Sequence, residues 1–178
     1  MIEVANISGA FNSLKIDLGI EAGTKLDYQK LVSAITLGSE IVSKTAYFET
    51  RNNVDEVKQQ KFIDFFKITG YAVVTKEVKM IQQADGSTKG KANFDVEMTT
   101  DICRHVWRRD CNEVIIVSGD SDFAYLIDMI KELDIKVTVV SSKGTLSKEL
   151  RDRADRLILL DELDLKNFTY SKPDALAV

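Results

Sequence analysis

The sequence predicts an α/β protein, with a mostly parallel central sheet and helices on both of its faces. Short β-branched runs, of which Val114-Ile115-Ile116-Val117 is the clearest, have the unbroken apolar character of strands buried on both sides. Between these runs lie longer segments whose apolar residues recur at helical spacing, so strand and helix alternate along the chain. Such alternation gives the sheet one edge where the strand carboxyl ends emerge, the functional edge of parallel α/β proteins.

Residues 2–7 read as a first strand and 9–18 as an amphipathic helix that Gly19 ends. Asp27 caps a helix over 28–37 whose Leu31, Ile35 and Leu37 face inward. A strand follows near 40–48. The helix 54–69 carries Val57, Phe62, Phe65, Phe66 and Ile68, and Gly70 stands just past its end, where a left-handed residue is favoured. Its phenylalanines are expected in the core, with a dimer surface as the alternative. Tyr71 to Ile81 reads as one strand, and the polar, glycine-containing segment 83–90 as a loop. A helix over 94–109, a strand 113–118, a helix 121–133, a strand 136–141, a helix 145–154 and a strand 156–161 complete the pattern. Phe123 and Tyr125, at helical spacing, are assigned to the core.

At 178 residues the chain is expected to be one domain with a sizeable core, residues 1–166, followed by a flexible tail over 167–178 that holds the single proline, Pro173. No run of about 18 apolar residues occurs, so no membrane span is expected. The opening Met1-Ile2-Glu3-Val4 lacks the marks of a secretory signal, and Cys103 and Cys111 have neither zinc nor redox spacing. A cytoplasmic protein with reduced thiols follows as the expectation. The net charge of −4 argues against a general polyanion binder, so any nucleic acid must be attracted by local basic character. His105 is the sole histidine, which removes most histidine-based acid–base schemes and leaves carboxylate and metal chemistry.

The most informative stretch is Glu113–Asp122, EVIIVSGDSD. A buried strand ends in Ser118-Gly119, and Asp120 and Asp122 follow where the next helix begins. Two acids at a strand's carboxyl end offer oxygen ligands to a hard cation such as Mg²⁺ or Mn²⁺. Glu3 in the first strand, with Asn6 three residues on, and Asp95 and Asp101 in the helix after the polar loop extend the acidic group. About 240° separates Asp95 from Asp101 around a helix, so the two do not share one face, and Asp95 is the stronger pocket candidate. Each acid has a plainer reading. Asp120 suits an N-cap, Asp122 and Asp95 suit the positive end of a helix dipole, and Glu3 suits a strand edge.

VIIVSGDSDFAYLIDMIKELDIKVTVVSS followed by LSKELRDRADRLILLDEL resembles the C-terminal half of a NYN domain, the LabA-like branch of the PIN-like nuclease superfamily. KGKANFDVEMTTDI resembles that family's lysine-glycine-x-aspartate helix start with its second aspartate. IEVANISGAFNSLKIDLG resembles the first strand, where the family usually has Asp-x-x-Asn. The likeness runs over about 1–163. It implies a Rossmann-like three-layer α/β/α fold, a cofactor of Mg²⁺ or Mn²⁺, and a metal-dependent ribonuclease acting on phosphodiester bonds, in single-stranded RNA.

Carried over by residue, the resemblance makes Glu3, Asp95, Asp120 and Asp122 the catalytic and metal-binding acids, with Asp101 as an outer ligand. Asn6, Ser118, Lys89, Lys91 and Lys143 fall to substrate or ligand positioning. Ser147, Leu150, Ala154 and Asp155 match a later pattern that reads as structural. Glu3 departs from the family's aspartate, and its extra methylene moves the carboxylate by roughly 1.5 Å. That departure supports a rival reading, a NYN-like module that binds RNA or protein with little or no catalysis. No sequence-reading module is recognisable, so selectivity is expected from a second copy, another protein partner or substrate structure.

Overall fold

A computed structural model describes residues 1–21, 23–51, 55–82 and 88–171, the side chains of Met80–Gln82, Thr88, Lys89 and Lys91 apart. Six strands, β1 (Ile2–Glu3), β3 (Thr45–Thr50), β4 (Ala72–Glu77), β7 (Glu113–Val117), β8 (Lys136–Ser141) and β9 (Arg156–Leu159), form one sheet in the order β4-β3-β1-β7-β8-β9. Every pairing in it is parallel. Helices α1 (Val4–Asp17), α2 (Tyr28–Thr36) and α3 (Glu56–Ile68) belong to one face, and α4 (Asp95–Arg108), α5 (Ala124–Lys131) and α6 (Lys148–Arg153) to the other.

The expected alternation of buried strand and helix is thus the architecture. Successive residues of β7 enter opposite layers: Val114 and Ile116 pack with Met98, Ile102 and Phe123, while Val117 packs with Ile7, Phe11 and Phe66. Strand order reverses at β1. From there the chain builds outward to β3 and β4, then returns to β1's other side with β7, β8 and β9. The resulting crevice between the carboxyl ends of β1 and β7 is the switch point at which such sheets bind ligands.

Several elements differ from expectation. The first strand stops at Glu3 rather than residue 7, because Val4, Ile7, Phe11 and Leu14 already follow helical spacing and all four are buried in α1. Residues 40–44 are not strand, and β3 begins at Thr45. The single strand expected over Tyr71–Ile81 divides at Val78, whose amide bonds back to the Thr50 carbonyl. A separate antiparallel hairpin then forms from β5 (Lys79–Gln82) and β6 (Thr88–Lys91), so the expected loop over 83–90 already contains strand from Thr88. Residues 83–87 lie outside the described residues.

Part of the segment expected as a tail is built into the fold. β10 (Thr169–Tyr170) pairs with β2 (Lys25–Leu26), and the Asp27 amide donates to the Phe168 carbonyl. Pro173 lies outside the described residues. Two helix-end expectations match the structure: Asp27 accepts from the Gln29 and Lys30 amides, and Gly70 follows α3 with φ +84°. Among the described residues no helix is long and apolar enough to cross a membrane.

Candidate functional site

Asp95, Asp120 and Asp122 each place a carboxylate oxygen within 4.8 Å of the others. They come from two connections. β7 ends at Val117, and a 3₁₀ turn over Ser121–Phe123 leads into α5, bringing Asp120 and Asp122 to the strand's carboxyl end. The β5–β6 hairpin delivers Asp95 as the first residue of α4. The plainer reading of Asp120 is present, since its side chain accepts from the Asp122 amide at 3.1 Å as a cap does, and its carboxylate still joins the group.

Local hydrogen bonds hold these acids in place. Asn93 Oδ1 accepts from the Asp95 amide at 2.8 Å, and its Nδ2 donates to the Asp95 carboxylate. Ser118, fully buried, donates to Glu3 Oε2 at 2.8 Å while its hydroxyl accepts from the Asp120 amide at 3.3 Å. Gly119 is required where it stands. A Cβ there would lie 2.1 Å from the Thr145 carbonyl oxygen, and the Gly119 carbonyl accepts from the Ser147 amide. Register places Ile2 opposite Val117, so Glu3 emerges level with Ser118 at the switch point.

Burial and like charge act together here. Burial raises the Glu3 pKa, the Ser118 hydrogen bond opposes the rise, and the charges of Asp120, Asp95 and Glu49 add to it. Burial likewise raises Asp95, against the Asn93 hydrogen bond, with Asp120 and Asp122 pushing the same way. Two carboxylates at this separation repel by a few kcal/mol at an effective dielectric constant of about 20. Among the described residues no lysine or arginine forms an ion pair with any of the four acids. Three half-buried carboxylates and the exposed Asp122, offering only hard oxygen donors and no counter-charge among the described residues, suit a divalent cation of the Mg²⁺ or Mn²⁺ type.

A family model for the NYN domain matches residues 2–161. The chain belongs to the NYN-domain family. It is 30% identical over 143 residues to the Low amplitude and bright protein LabA of Synechococcus elongatus, across 79% of this chain and 75% of that protein. A crystal structure of a Vibrio parahaemolyticus protein of unknown function superposes with a TM-score of 0.67 at 29% identity, covering 95% of this chain and 93% of that one. The three-layer, mostly parallel arrangement is the PIN-like NYN fold that the resemblance implied.

Other candidate residues of the NYN domain are placed as follows. Asp101 does not join the three converging acids: Oδ2 accepts from the buried Tyr47 hydroxyl at 2.9 Å, and Oδ1 pairs with Arg104 at 2.9 Å. Asn6 stands half-buried in the first turn of α1. Lys143 Nζ is 3.3 Å from Glu162. Lys89 and Lys91 lie on β6, but their side chains are outside the described residues. Ser147 caps α6 by accepting from the Leu150 amide, and Asp155 accepts from the Val137 amide and pairs with Lys131, the structural roles their pattern implied.

Tyr125 does not share the core position expected for it beside Phe123: it is 83% exposed, whereas Phe123 is fully buried. The helix turns Tyr125 away from the layer that Phe123, Leu126 and Ile127 enter. Phe62 and Phe65, also expected in the core, each keep 38% exposure, and only Phe66 of the three is sealed. Sequence reading missed Asn93, Tyr47 and Glu49. Of these Asn93 left a signal, since Asn-Phe-Asp at a helix start is a capping pattern. Tyr47 is visible only through register, opposite Glu3. A cavity of about 480 Å³ opens at the opposite edge of the sheet, among Ile35, Tyr71, Ile102 and Val114, and includes none of the four acids.

Proposed function

We propose that this NYN domain is a metal-dependent ribonuclease that hydrolyses phosphodiester bonds in single-stranded RNA, with Mg²⁺ or Mn²⁺ as its cofactor. The observation that carries this reading is the meeting of Asp95, Asp120 and Asp122 within 4.8 Å at the switch point, with no cation paired to them among the described residues. Glu3, Asp95, Asp120 and Asp122 would hold the ion, and Asp101, tied to Tyr47, is an outer member of the group. A bound divalent ion supplies a lowered pKa for coordinated water and stabilisation of charge on the phosphoryl oxygens.

The chain's own residues position the rest. Ser118 orients the Glu3 carboxylate and fixes the Asp120 backbone in one hydroxyl, while Asn93 orients Asp95. Such supporting bonds set the aim of ligating groups. A carboxylate of this group within reach of an attacking water would take up the proton that the water loses. Hydrolysis then leaves one phosphomonoester and one hydroxyl. Asn6, Lys89, Lys91 and Lys143 are assigned to phosphate and ligand positioning, Lys143 after exchanging Glu162 for a phosphate.

One observation favours a second reading, a module with weak or absent catalysis. Glu3 replaces the family's aspartate, its Oε2 is held by Ser118, and it is not among the three converging acids. Incubating generic single-stranded RNA with the chain and Mn²⁺ or Mg²⁺ tests both readings. Cleavage that stops with chelator and is lost in Asp120→Asn supports the nuclease. Cleavage unchanged by chelator or by that substitution overturns it. If the wild type is silent, activity gained in Glu3→Asp assigns the fault to position 3, and continued silence favours the binding module.

A further inference from the structure

A groove of about 680 Å³ lies between α1 and α3 and reaches the β2–β10 pair, and none of the four acids lines it. Its lining includes four cationic side chains, Lys15, Lys25, Arg51 and Lys58, against one carboxylate, Glu49. This is a local excess of positive charge in a chain whose net charge is −4. Phe62, on α3, and Tyr170, on β10, also line it and keep 38% and 47% of their surface exposed. Cations with exposed aromatic faces between them are the pattern by which proteins hold single nucleic-acid strands, phosphates on one and bases stacked on the other.

The groove lies beside the acids. Val4, the residue after Glu3, lines it, and Glu49 is near enough for its charge to act on Glu3. We propose that this groove is the path of a single RNA strand leading into the acidic site, Lys25, Arg51 and Lys58 contacting phosphates and Phe62 and Tyr170 stacking bases. The inference rests on the nuclease reading above for the identity of the strand. Existing ion pairs do not oppose it. Arg51 pairs with Glu49 at 3.2 Å and Lys58 with Asp55 at 2.8 Å, but both cations are more than half exposed, and exposed pairs exchange partners at little cost. Lys15 is anchored, donating to the Thr24 carbonyl at 3.2 Å, and sets the groove's far wall.

The test is fluorescence anisotropy with a labelled twelve-nucleotide single-stranded RNA, using the full chain carrying Asp120→Asn so that no cleavage intervenes. Adding Lys25→Glu with Arg51→Ala is expected to weaken binding about tenfold or more. It should also flatten the slope of log affinity against log salt by roughly 0.7 for each phosphate no longer neutralised. Tyr170→Ala should weaken binding about fivefold, with thermal unfolding checking that β10 stays paired. Lys136→Glu, at the opposite edge of the sheet, is the charge control and should bind within twofold. Unchanged binding in the groove variants, or equal weakening by Lys136→Glu, would overturn the groove.

Cleavage by the chain with Asp120 intact separates this failure from failure of the nuclease reading. Groove changes that raise KM for the long strand, but not for a dinucleotide, support both. Cleavage with wild-type KM after the groove changes removes the groove and keeps the nuclease. Groove-dependent binding without any cleavage keeps the groove and removes the nuclease.

Discussion

At the amino-terminal edge of the sheet, carboxylates are answered. Glu113 accepts from Thr138 and pairs with Arg156, Asp110 meets His105, and the Val137 amide and Lys131 hold the Asp155 pKa low. At the carboxyl edge Glu3, Asp95, Asp120 and Asp122 face one another, and the charge of their neighbours helps raise Glu3 and Asp95. One edge uses acids to tie strands to helices. The other gathers carboxylates that no lysine or arginine pairs with among the described residues, an arrangement that stability alone does not favour and a bound cation would.

The largest test of that contrast is a pair of isosteric changes, one at each edge. Asp120→Asn should lower cleavage on the order of 10³-fold, beyond the 10–100-fold typical of residues that merely support a ligand. Glu113→Gln should leave cleavage within twofold and cost about 1 kcal/mol in denaturant unfolding. Equal effects on rate would erase the distinction between the edges.

Next comes the ion itself. Mn²⁺ at about 100 times its Kd should stabilise the chain by about 2.7 kcal/mol, seen as a raised Tm, and the gain should vanish in Asp120→Asn. A Tm rise that survives this substitution would place the ion elsewhere. Gly119→Ala should cost about 1–3 kcal/mol, because its methyl group meets the Thr145 carbonyl and the 142–147 segment must shift. A Tm unchanged by this substitution would show that the segment gives way freely.

The smallest effect is in pH. Glu3 and Asp95 have folded-state pKa values above their ordinary 4.5 and 3.8, so at these two groups the folded chain holds protons to higher pH than the unfolded one. Their favourable contribution is complete below those ordinary values and is lost as pH rises through the raised ones. Asp155 acts in reverse: it stabilises above its ordinary 3.8, and that support is lost as pH falls through its lowered pKa. Denaturant titrations of metal-free chain from pH 4 to 7 should therefore show a smaller loss for Asp120→Asn, which removes one repelling charge. Parallel pH profiles would mean that the acids at the carboxyl edge do not interact.

Much of this was legible in the sequence wherever pattern and chemistry coincide. EVIIVSGDSD declares a doubly buried strand and, through its acids, the turn that follows it. The end of β1 was harder, because Val4 and Ile7 satisfy strand and helix patterns alike over so few residues. The β5–β6 hairpin was hidden by its polar composition, since Thr88–Lys91 carries no apolar alternation. Helical spacing sets Asp101 on another face than Asp95 but does not show what it meets there. Its partner Tyr47 arrives from a strand 54 residues away, and only the tertiary fold shows that pairing. The groove cations were equally invisible, being spread over α1, β2, the end of β3 and α3.

The bond from Ser118 to Glu3 spans 115 residues of chain, and β1, the strand it completes, is two residues long and lies in the middle of the sheet. So short a strand contributes little local order of its own, and it can settle only once β3 and β7 are both present to flank it. Closing a contact of such long range is slow and comes with late assembly. During synthesis, the stretch bearing Glu3 must therefore wait for more than a hundred further residues before its serine exists. The full set of acids comes together only when the domain is complete, and a half-made chain has no such site.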